Sequence, residues 1–325
     1  MVVVVTGAAG HVGANLVRAL LAEGRRVRVL LHRDRRALAG LDVEAVPGDV
    51  GDRQSLVRAF AGAELVYHTA AYISLLMHDW VRSAETNVVG TRNVVEACLQ
   101  SGVRRLVHFS SIHALDLEMC SGSIDETCPL VDGPPHPPYD RSKAAAEMEV
   151  RQGIVRGLDA VILNPTGVIG PWDYRPSHFG AALLLLARGK IPGLINGGVD
   201  WVDVRDVAWG ALRAAERAPA GAKYLLPGHW VSVRDLAETV AGASGVRAPR
   251  FTSPLFLAQA VAPLATLYAL LTRTTPIYTS VSLRALGRRF EVSYAQATRD
   301  LGYQPRPFAE TIADTLAWFR EAGQL

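Results

Sequence analysis

The chain has 325 residues, of which 49% are apolar and 20% charged, a composition typical of globular proteins and not of disordered or fibrous ones. Its 34 basic and 31 acidic residues leave a net charge of only +3. This balance argues against nucleic acid as the main partner, because phosphate backbones bind to concentrated basic surfaces. Three scattered cysteines indicate neither a disulfide framework nor a metal site, which fits a reducing cytoplasm.

The first half of the chain alternates short apolar runs with amphipathic helical patterns. The apolar runs predict strands at 2–5, 27–31, 43–46, 65–68, 106–109 and 160–163. The helical patterns predict helices at 11–22, 55–60, 81–100 and 139–156. Because strands that alternate with helices form parallel sheets covered on both faces, this half predicts an α/β fold.

After about residue 165 the alternation ends, and helices are predicted at 178–188, 205–217, 233–243, 254–271 and 307–322. We therefore expect a dinucleotide-binding region at 1–165 and a smaller, mostly helical substrate-binding region at 166–325, with some segments returning to the first. The uncharged segment 251–272 is long enough to span a bilayer, but Pro254, Gln259 and Pro263 interrupt it. It predicts a buried, broken helix and no stable membrane span.

A glycine-rich loop joins the first predicted strand to the first predicted helix. The loop reads Thr6-Gly7-Ala8-Ala9-Gly10-His11-Val12-Gly13. In this setting Gly7 permits a tight turn, Gly10 lets the backbone approach a pyrophosphate, and Gly13 lets helix and sheet pack closely. The loop therefore predicts a dinucleotide site.

The end of the second predicted strand bears on the choice of cofactor. NAD sites usually place an acidic residue there, to accept a hydrogen bond from the ribose 2′-hydroxyl. Here the strand ends in His32 and Arg33, which suit a 2′-phosphate, and Asp34 comes late. We favour NADP over NAD, and the alternative is that these are solvated charges only.

Tyr139 and Lys143 have the spacing of a catalytic pair. Residues four apart share one face of a helix, so the Lys143 ammonium is expected to stabilise the Tyr139 phenolate and lower its pKa. Ser110 and Ser111 follow the strand at 106–109, at the sheet edge where ligands bind. Ser111 is the favoured catalytic serine and Ser110 the competing one.

Lysine is rare in this chain. Three of the 34 basic residues are lysine, namely Lys143, Lys190 and Lys223, and 31 are arginine. Lys143 stands where a compact ammonium is required, because a planar guanidinium does not act as a point charge. Lys190 and Lys223 lie in turn-like contexts where arginine could serve, so Lys143→Arg alone is expected to impair function.

Taken together, these motifs resemble the extended branch of the short-chain dehydrogenase/reductase superfamily, and most closely its dihydroflavonol-reductase-like and 3β-hydroxysteroid-dehydrogenase-like members. The resemblance implies a Rossmann-type doubly wound sheet, an NAD(P) cofactor and a homodimer formed through the helices at 81–100 and 139–156. The implied cofactor contacts, beyond His32 and Arg33, are Gly7, Ala9, Gly10, His11, Val12, Asp49, Val50, Thr69, Ala70, Ala71, Asn87, Tyr139, Lys143, Pro165 and Val168. Candidate substrate contacts are Tyr72, Ser111, His113, Trp172, Tyr174 and His178.

The resemblance implies reduction of a ketone or oxidation of a secondary alcohol. Tyr139 would move the proton, Ser111 would orient the carbonyl, and Lys143 would tune the phenol and hold the ribose. The uncharged segment and the apolar run at 183–186 favour a lipophilic or aromatic substrate. The alternatives are a nucleotide-sugar epimerase with tightly bound NAD and a non-catalytic cofactor-binding protein. Dehydration is disfavoured because Ile112-His113 stand where related dehydratases carry Asp-Glu.

Overall fold

A computed structural model describes residues 2–32, 34–120, 122–260, 283–284, 286–287 and 289–325. The predicted 2′-phosphate contact of Arg33 lies outside the described residues. So does most of the predicted helix at 254–271, of which the described part is helical at 255–260. No helix in the described ranges is long and apolar enough to cross a membrane, and residues 261–272 of the uncharged segment are not among them.

Seven parallel strands form the central sheet, and five short strands form two small sheets. In chain order the strands are β1 (Val2–Thr6), β2 (Arg26–Leu31), β3 (Val43–Pro47), β4 (Ala63–His68), β5 (Arg105–Phe109), β6 (Ala160–Pro165), β7 (Gly167–Ile169), β8 (Leu194–Ile195), β9 (Gly198–Asp203), β10 (Lys223–Leu226), β11 (His229–Ser232) and β12 (Thr252–Ser253). The large sheet has the order β10-β6-β5-β4-β1-β2-β3. The six strands predicted in the first half are confirmed.

Helices cover both faces of the sheet and build the second region. They are α1 (His11–Ala22), α2 (Arg53–Phe60), α3 (Trp80–Ser83), α4 (Gly90–Ser101), α5 (Pro138–Val155), α6 (His178–Ala187), α7 (Val204–Arg217), α8 (Val233–Ser244), α9 (Ala295–Leu301) and α10 (Phe308–Glu321). A π-helical turn, Ala84–Val89, joins α3 to α4. Except at 254–271, the predicted helices are confirmed to within two residues, and α9 was not predicted.

The alternating side chains of the buried strands build two apolar layers. Val3 and Val5 of β1 pack with α1 and α7, whereas Val4 packs with α2, α4 and α5. Chain order reverses at β1, which pairs with β2 on one side and β4 on the other. Ligands of doubly wound sheets bind at the carboxyl ends of the strands beside such a reversal, so the fold itself locates a candidate site.

The second region has its own core but shares elements with the first. Helices α6, α8 and α10 enclose a cluster that includes Leu183, Trp201, Leu236 and Phe319. Strand β10 joins the edge of the large sheet beside β6, and α7 packs on that sheet.

The cysteines differ from the expectation of scattered free thiols. Cys120 and Cys128 form a disulfide with their Cα atoms 5.5 Å apart. Cys98 is free and buried in the core. Within the described ranges no group of three or more metal-ligating side chains comes together.

Candidate active site

The glycine-rich loop fits only glycine at two of its positions. Gly7 has a φ of +69°, and a Cβ there would lie 2.5 Å from the Ala70 nitrogen. A Cβ on Gly13 would lie 2.2 Å from the Gly7 carbonyl oxygen. The backbone thus forms a tight cradle at the start of α1, whose free N–H groups and dipole favour an anion.

The loops after β1 and β4 are held against each other. Thr69 donates a hydrogen bond from its hydroxyl to the Thr6 carbonyl at 2.7 Å, and the Thr6 hydroxyl lies 2.8 Å from His68 Nδ1. The second ring nitrogen of His68 lies 3.0 Å from the Thr91 hydroxyl. These buried contacts keep the cradle and the Thr69–Ala71 segment at one edge of the sheet.

The other described residues predicted to contact the cofactor share that edge. They belong to the loop after β1 (Gly7, Ala9, Gly10, His11, Val12), the loops after β2 and β3 (His32, Asp49, Val50), the loop after β4 (Thr69, Ala70, Ala71) and the segment at and after the end of β6 (Pro165, Val168). Because all five strands are parallel, their carboxyl ends meet at the same edge. Direct contact with a cofactor stays a prediction for each of them.

Polar side chains at the end of β2 already have partners. His32 Nε2 lies 3.2 Å from an Asp49 carboxylate oxygen. Arg36 forms a bidentate pair with Asp34, and its hydrogen bonds lower the pKa of Asp34 to about 2. Asp34 is therefore ionised and turned towards Arg36.

The predicted substrate residues Trp172 and Tyr174 lie beside α1. The Arg18 guanidinium is 5.2 Å from the Trp172 ring centre and donates to the Tyr174 hydroxyl at 3.0 Å. His11 Nε2 lies 3.1 Å from the Gly170 carbonyl oxygen. These contacts fasten the segment after β7 to the start of α1.

Asn87 holds two parts of the site together from within the π-helical turn. Its amide accepts a hydrogen bond from the Tyr72 N–H at 2.7 Å and donates one to the Tyr72 carbonyl at 2.9 Å. It also donates to the Ser142 hydroxyl at 2.8 Å, which in turn donates to the Tyr139 carbonyl. Asn87 thereby connects the segment after β4 to the first turn of α5.

Two of the predicted catalytic side chains, Ser111 and Tyr139, meet where α5 begins, and Lys143 lies one turn further along the helix. Pro138 occupies the first turn of α5, where proline is favoured, so Tyr139 is at the start of the helix. The Ser111 hydroxyl is hydrogen bonded to the Tyr139 phenol. One turn later, Lys143 Nζ donates to the Phe109 carbonyl at 2.6 Å.

The phenol pKa differs from the sequence-based expectation. Burial raises the pKa of Tyr139 to about 12, although the hydrogen bond from Ser111 opposes this rise. Burial also lowers the pKa of Lys143 to about 8, against the opposing effect of Glu147. The prediction that the pKa of Tyr139 is lowered is therefore wrong for this structure, because desolvation outweighs the stabilisation of the charged phenolate.

The two serines after β5 face different partners. The Ser110 hydroxyl donates a hydrogen bond to Glu147 Oε2 at 3.1 Å, whereas the Ser111 hydroxyl is hydrogen bonded to Tyr139. The Asn164 amide donates to the Ser111 carbonyl at 2.8 Å. This arrangement places Ser111, rather than Ser110, beside the phenol.

A histidine–aspartate pair adjoins the phenol. His113 Nδ1 lies 3.2 Å from Asp140 Oδ1, and its ring centre is 5.7 Å from that of Tyr139. Burial disfavours the imidazolium, but Asp140 outweighs it and raises the pKa of His113. His178 begins α6, where burial lowers its pKa. Of the predicted substrate residues, His113 and Ser111 are thus the ones that lie against Tyr139.

Three polar residues at the site were not predicted as functional, namely Glu147, Asn164 and Lys223. Glu147 could have been found, because it continues the four-residue spacing from Tyr139 and Lys143 along one helix face. Lys223 was expected in a turn, but it is the first residue of β10, and only 7% of its side chain is exposed. Its Nζ lies 3.0 Å from Glu147 Oε1.

A protein-family model matches most of the chain. The model of the NAD dependent epimerase/dehydratase family matches residues 3–226, from β1 to the end of β10. The chain belongs to this family. Within it, the resemblance to the extended short-chain dehydrogenases/reductases is confirmed.

Individual members of the family resemble the whole chain. Sterol demethylase protein B of Methylococcus capsulatus is 38% identical over 331 residues, which cover all of both proteins. A putative dihydroflavonol 4-reductase of Synechocystis is 32% identical, covering 98% of this chain and 94% of the relative. The crystal structure of gox2253 is 34% identical, with a TM-score of 0.84 over 100% of this chain and 99% of that one.

The residues present fit a nicotinamide dinucleotide. The cradle between Gly7 and Gly13 leaves no room for a Cβ at either glycine, which keeps backbone N–H groups accessible to a pyrophosphate. The phenol and the ammonium of the site lie at the same sheet edge. The family match and this cradle agree on an NAD(P)-dependent enzyme.

Proposed function

We propose that the protein reduces a ketone, or oxidises a secondary alcohol, with NAD(P) and with Tyr139 as general acid and base. The observation that carries this proposal is the grouping of Ser111, Tyr139 and Lys143 at the carboxyl edge of the sheet, beside the glycine cradle. Two relatives of similar length, a putative dihydroflavonol 4-reductase and a quinoline-oxide ketoreductase, are named as reductases, which supports carbonyl reduction.

The protein's side chains would handle the proton and the oxygen. A bound nicotinamide supplies or accepts the hydride. With a pKa of about 12, the Tyr139 phenol is protonated at neutral pH and can donate its proton to a carbonyl oxygen. The Ser111 hydroxyl stabilises negative charge on that oxygen, and the Lys143 ammonium holds the ribose.

We propose NADP as the preferred dinucleotide and NAD as the alternative. His32 directly follows β2, and its exposed side chain is within reach of a ligand at that strand end. Arg33 is expected to assist it. Comparing the dissociation constants of NADPH and NADH by fluorescence tests this preference, and tighter binding of NADH would reverse it.

We further propose a lipophilic or aromatic substrate held by residues 166–325. The names of the relatives support this class, since one is a sterol demethylase protein and another a dihydroflavonol reductase. The apolar run at 183–186 lies within α6, where Leu183, Leu184 and Leu186 belong to the core and do not by themselves indicate a pocket.

The decisive experiment replaces Tyr139 with phenylalanine. Thermal-shift screening against nucleotides, nucleotide sugars and hydrophobic ketones first identifies a substrate. Tyr139→Phe should then lower turnover about 100-fold or more, the range of general acid–base catalysis, and leave cofactor binding nearly unchanged. Tyr294→Phe, at a partly exposed tyrosine far along the chain, is the matched control. Unchanged turnover in Tyr139→Phe would reject the proposal.

The family description supports a second candidate, a nucleotide-sugar epimerase that keeps its NAD bound. Purified protein that carries oxidised NAD and converts a nucleotide sugar without net use of cofactor would favour it. A cofactor that binds while no ketone, alcohol or nucleotide sugar reacts would favour the non-catalytic alternative.

We also propose that the protein forms a dimer. A homodimer through α3–α4 and α5 is supported by exposed apolar side chains there, namely Val81, Val89, Met148 and Val155, and a monomer in light scattering would contradict it. The cytoplasmic location inferred from scattered cysteines stays a prediction. The Cys120–Cys128 disulfide argues against it, because disulfides are rare in reducing compartments.

A further inference from the structure

A buried carboxylate, Glu147, lies one turn beyond Lys143 on the same face of α5. Its side chain has no solvent exposure. Its Oε1 lies 2.8 Å from Arg151 and 3.0 Å from Lys223 Nζ. Its Oε2 accepts hydrogen bonds from Ser110 at 3.1 Å and from the Asn164 amide at 3.3 Å. Four parts of the fold therefore meet at one carboxylate.

Lys223 supplies the positive charge that faces this carboxylate from the sheet edge. It is the first residue of β10, which pairs with β6, and it is buried. A buried ammonium needs a partner, because its removal from water is costly. Arg151 faces Glu147 from α5 itself, and Lys223 is thus the cation that ties α5 to β10.

Two short connections lead from Glu147 to the proposed catalytic centre. Ser110, which donates to Glu147, directly precedes Ser111. The Asn164 amide is shared between Glu147 and the Ser111 carbonyl, which it reaches at 2.8 Å. A displaced Glu147 would consequently move the backbone that carries the Ser111 hydroxyl.

We propose that Glu147 and Lys223 are positioning residues of the catalytic centre. Their ion pair holds the Ser110–Ser111 segment in place and sets the net charge that acts on Lys143 from the interior of the protein. The assignment of Lys143 and Ser111 to catalysis rests on the proposed function. The ion pair and its electrostatic effect on Lys143 do not require turnover, so they are measurable separately.

Titratable groups on neighbouring elements face Lys143 and the Glu147–Lys223 pair. His68 on β4 and His108 on β5 face Lys143, and burial holds the pKa of both below its ordinary value, so both are neutral. Glu147 acts on Lys143 from the same helix and raises its pKa against burial. Glu126, ahead of α5, and Arg151 complete the charges that act on Lys223.

The two members of the pair should shift the pKa of Lys143 in opposite directions. Glu147→Gln removes an anion and should lower it, by about one pH unit for a nearby opposite charge. Lys223→Met removes a cation and should raise it, since Arg151 keeps Glu147 ionised. A purely structural role of the pair predicts no such opposition.

The scarcity of lysine makes a direct measurement possible. The full-length chain with lysines labelled by ¹³C at Cε gives three lysine signals, from Lys143, Lys190 and Lys223. Lys190→Arg assigns one signal, and Lys223→Met assigns another. Following the Lys143 signal across pH in wild type, Glu147→Gln and Lys223→Met then yields its pKa without a substrate. Lys190→Met, at an exposed lysine, is the matched control and should leave that pKa unchanged.

A double variant keeps the test decisive if one single variant does not fold. Glu147→Gln with Lys223→Met removes both charges together and should return the pKa of Lys143 close to the wild-type value. Once a substrate is known, the pH limb of kcat should move with this pKa in each variant. A Lys143 pKa that is the same in all variants, or that moves in one direction only, would overturn the proposal. If the wild-type protein turned over no substrate, the proposed function would be refuted, but the measured pKa values of Lys143 would still test the proposal about the ion pair.

Discussion

Replacing Gly13 with alanine adds a methyl group where the backbone of the phosphate loop already lies. The new Cβ would be 2.2 Å from the Gly7 carbonyl oxygen and 2.7 Å from Ala8 Cα. Normal contacts are about 3.5–4 Å, so the loop or α1 must move by about 1 Å or more. Overpacking costs about 1–3 kcal/mol, and the helix preference of alanine returns about 0.5–1 kcal/mol. Because the clashing atoms belong to the backbone, the upper part of the overpacking range applies, and we expect a net destabilisation of about 1–2.5 kcal/mol.

Gly242 provides a matched control for this substitution. It also lies inside a helix, α8, but a Cβ there would meet no heavy atom within 4 Å. Gly242→Ala should therefore stabilise the protein by about 0.5–1 kcal/mol. Urea unfolding measures both changes. Fluorescence titration with NADPH should show binding about tenfold weaker in Gly13→Ala alone, which corresponds to a loss of about 1.4 kcal/mol in contacts between the displaced loop and the pyrophosphate. Wild-type stability and affinity in Gly13→Ala would refute the reasoning.

Three further predictions concern Lys143 and the cysteines. Lys143→Arg should lower turnover and cofactor affinity about tenfold or more, because a guanidinium is not a compact donor, whereas Lys190→Arg should match wild type in both assays. Since burial lowers the pKa of Lys143 to about 8, its ammonium is lost as pH rises through 8, and cofactor affinity measured from pH 6 to about 10 should fall there. Alkylation of the unfolded, unreduced protein should modify Cys98 alone, and three reactive thiols would contradict the Cys120–Cys128 bridge.

Six of the seven strands of the large sheet were predictable because their signal is local. The apolar run of β1 and the glycine loop after it are adjacent in sequence, and both are required at the point where chain order reverses. Tyr139 and Lys143 are likewise one helical turn apart. The strands β7 to β12 were not predicted. Of these, β7, β8 and β12 have only two or three residues, and so short a run forms a strand only when a partner segment is present.

The electrostatics of the site depend on burial, which the sequence spacing does not report. A four-residue interval correctly placed Lys143 on the face of Tyr139, but it could not indicate that the Lys143 ammonium donates to the Phe109 carbonyl. Nor could it indicate that desolvation would dominate the phenol pKa. Asp34 is a similar case. The sequence shows that it comes late after the second strand, but its pairing with Arg36 depends on how the turn folds.

Lys223 shows how a tertiary contact changes the meaning of a residue. Gly221 and Ala222 before it indicate a turn, and the turn does occur, but the next residue enters the sheet and faces a helix 76 residues earlier in the chain. Glu147 already receives Arg151 on the oxygen that Lys223 approaches. A second guanidinium there would bring a wide planar group into a buried space, whereas a compact ammonium adds one charge with three donors. In a chain with 31 arginines, two of the three lysines thus occupy buried positions around one carboxylate, where the size of the cation matters as much as its charge.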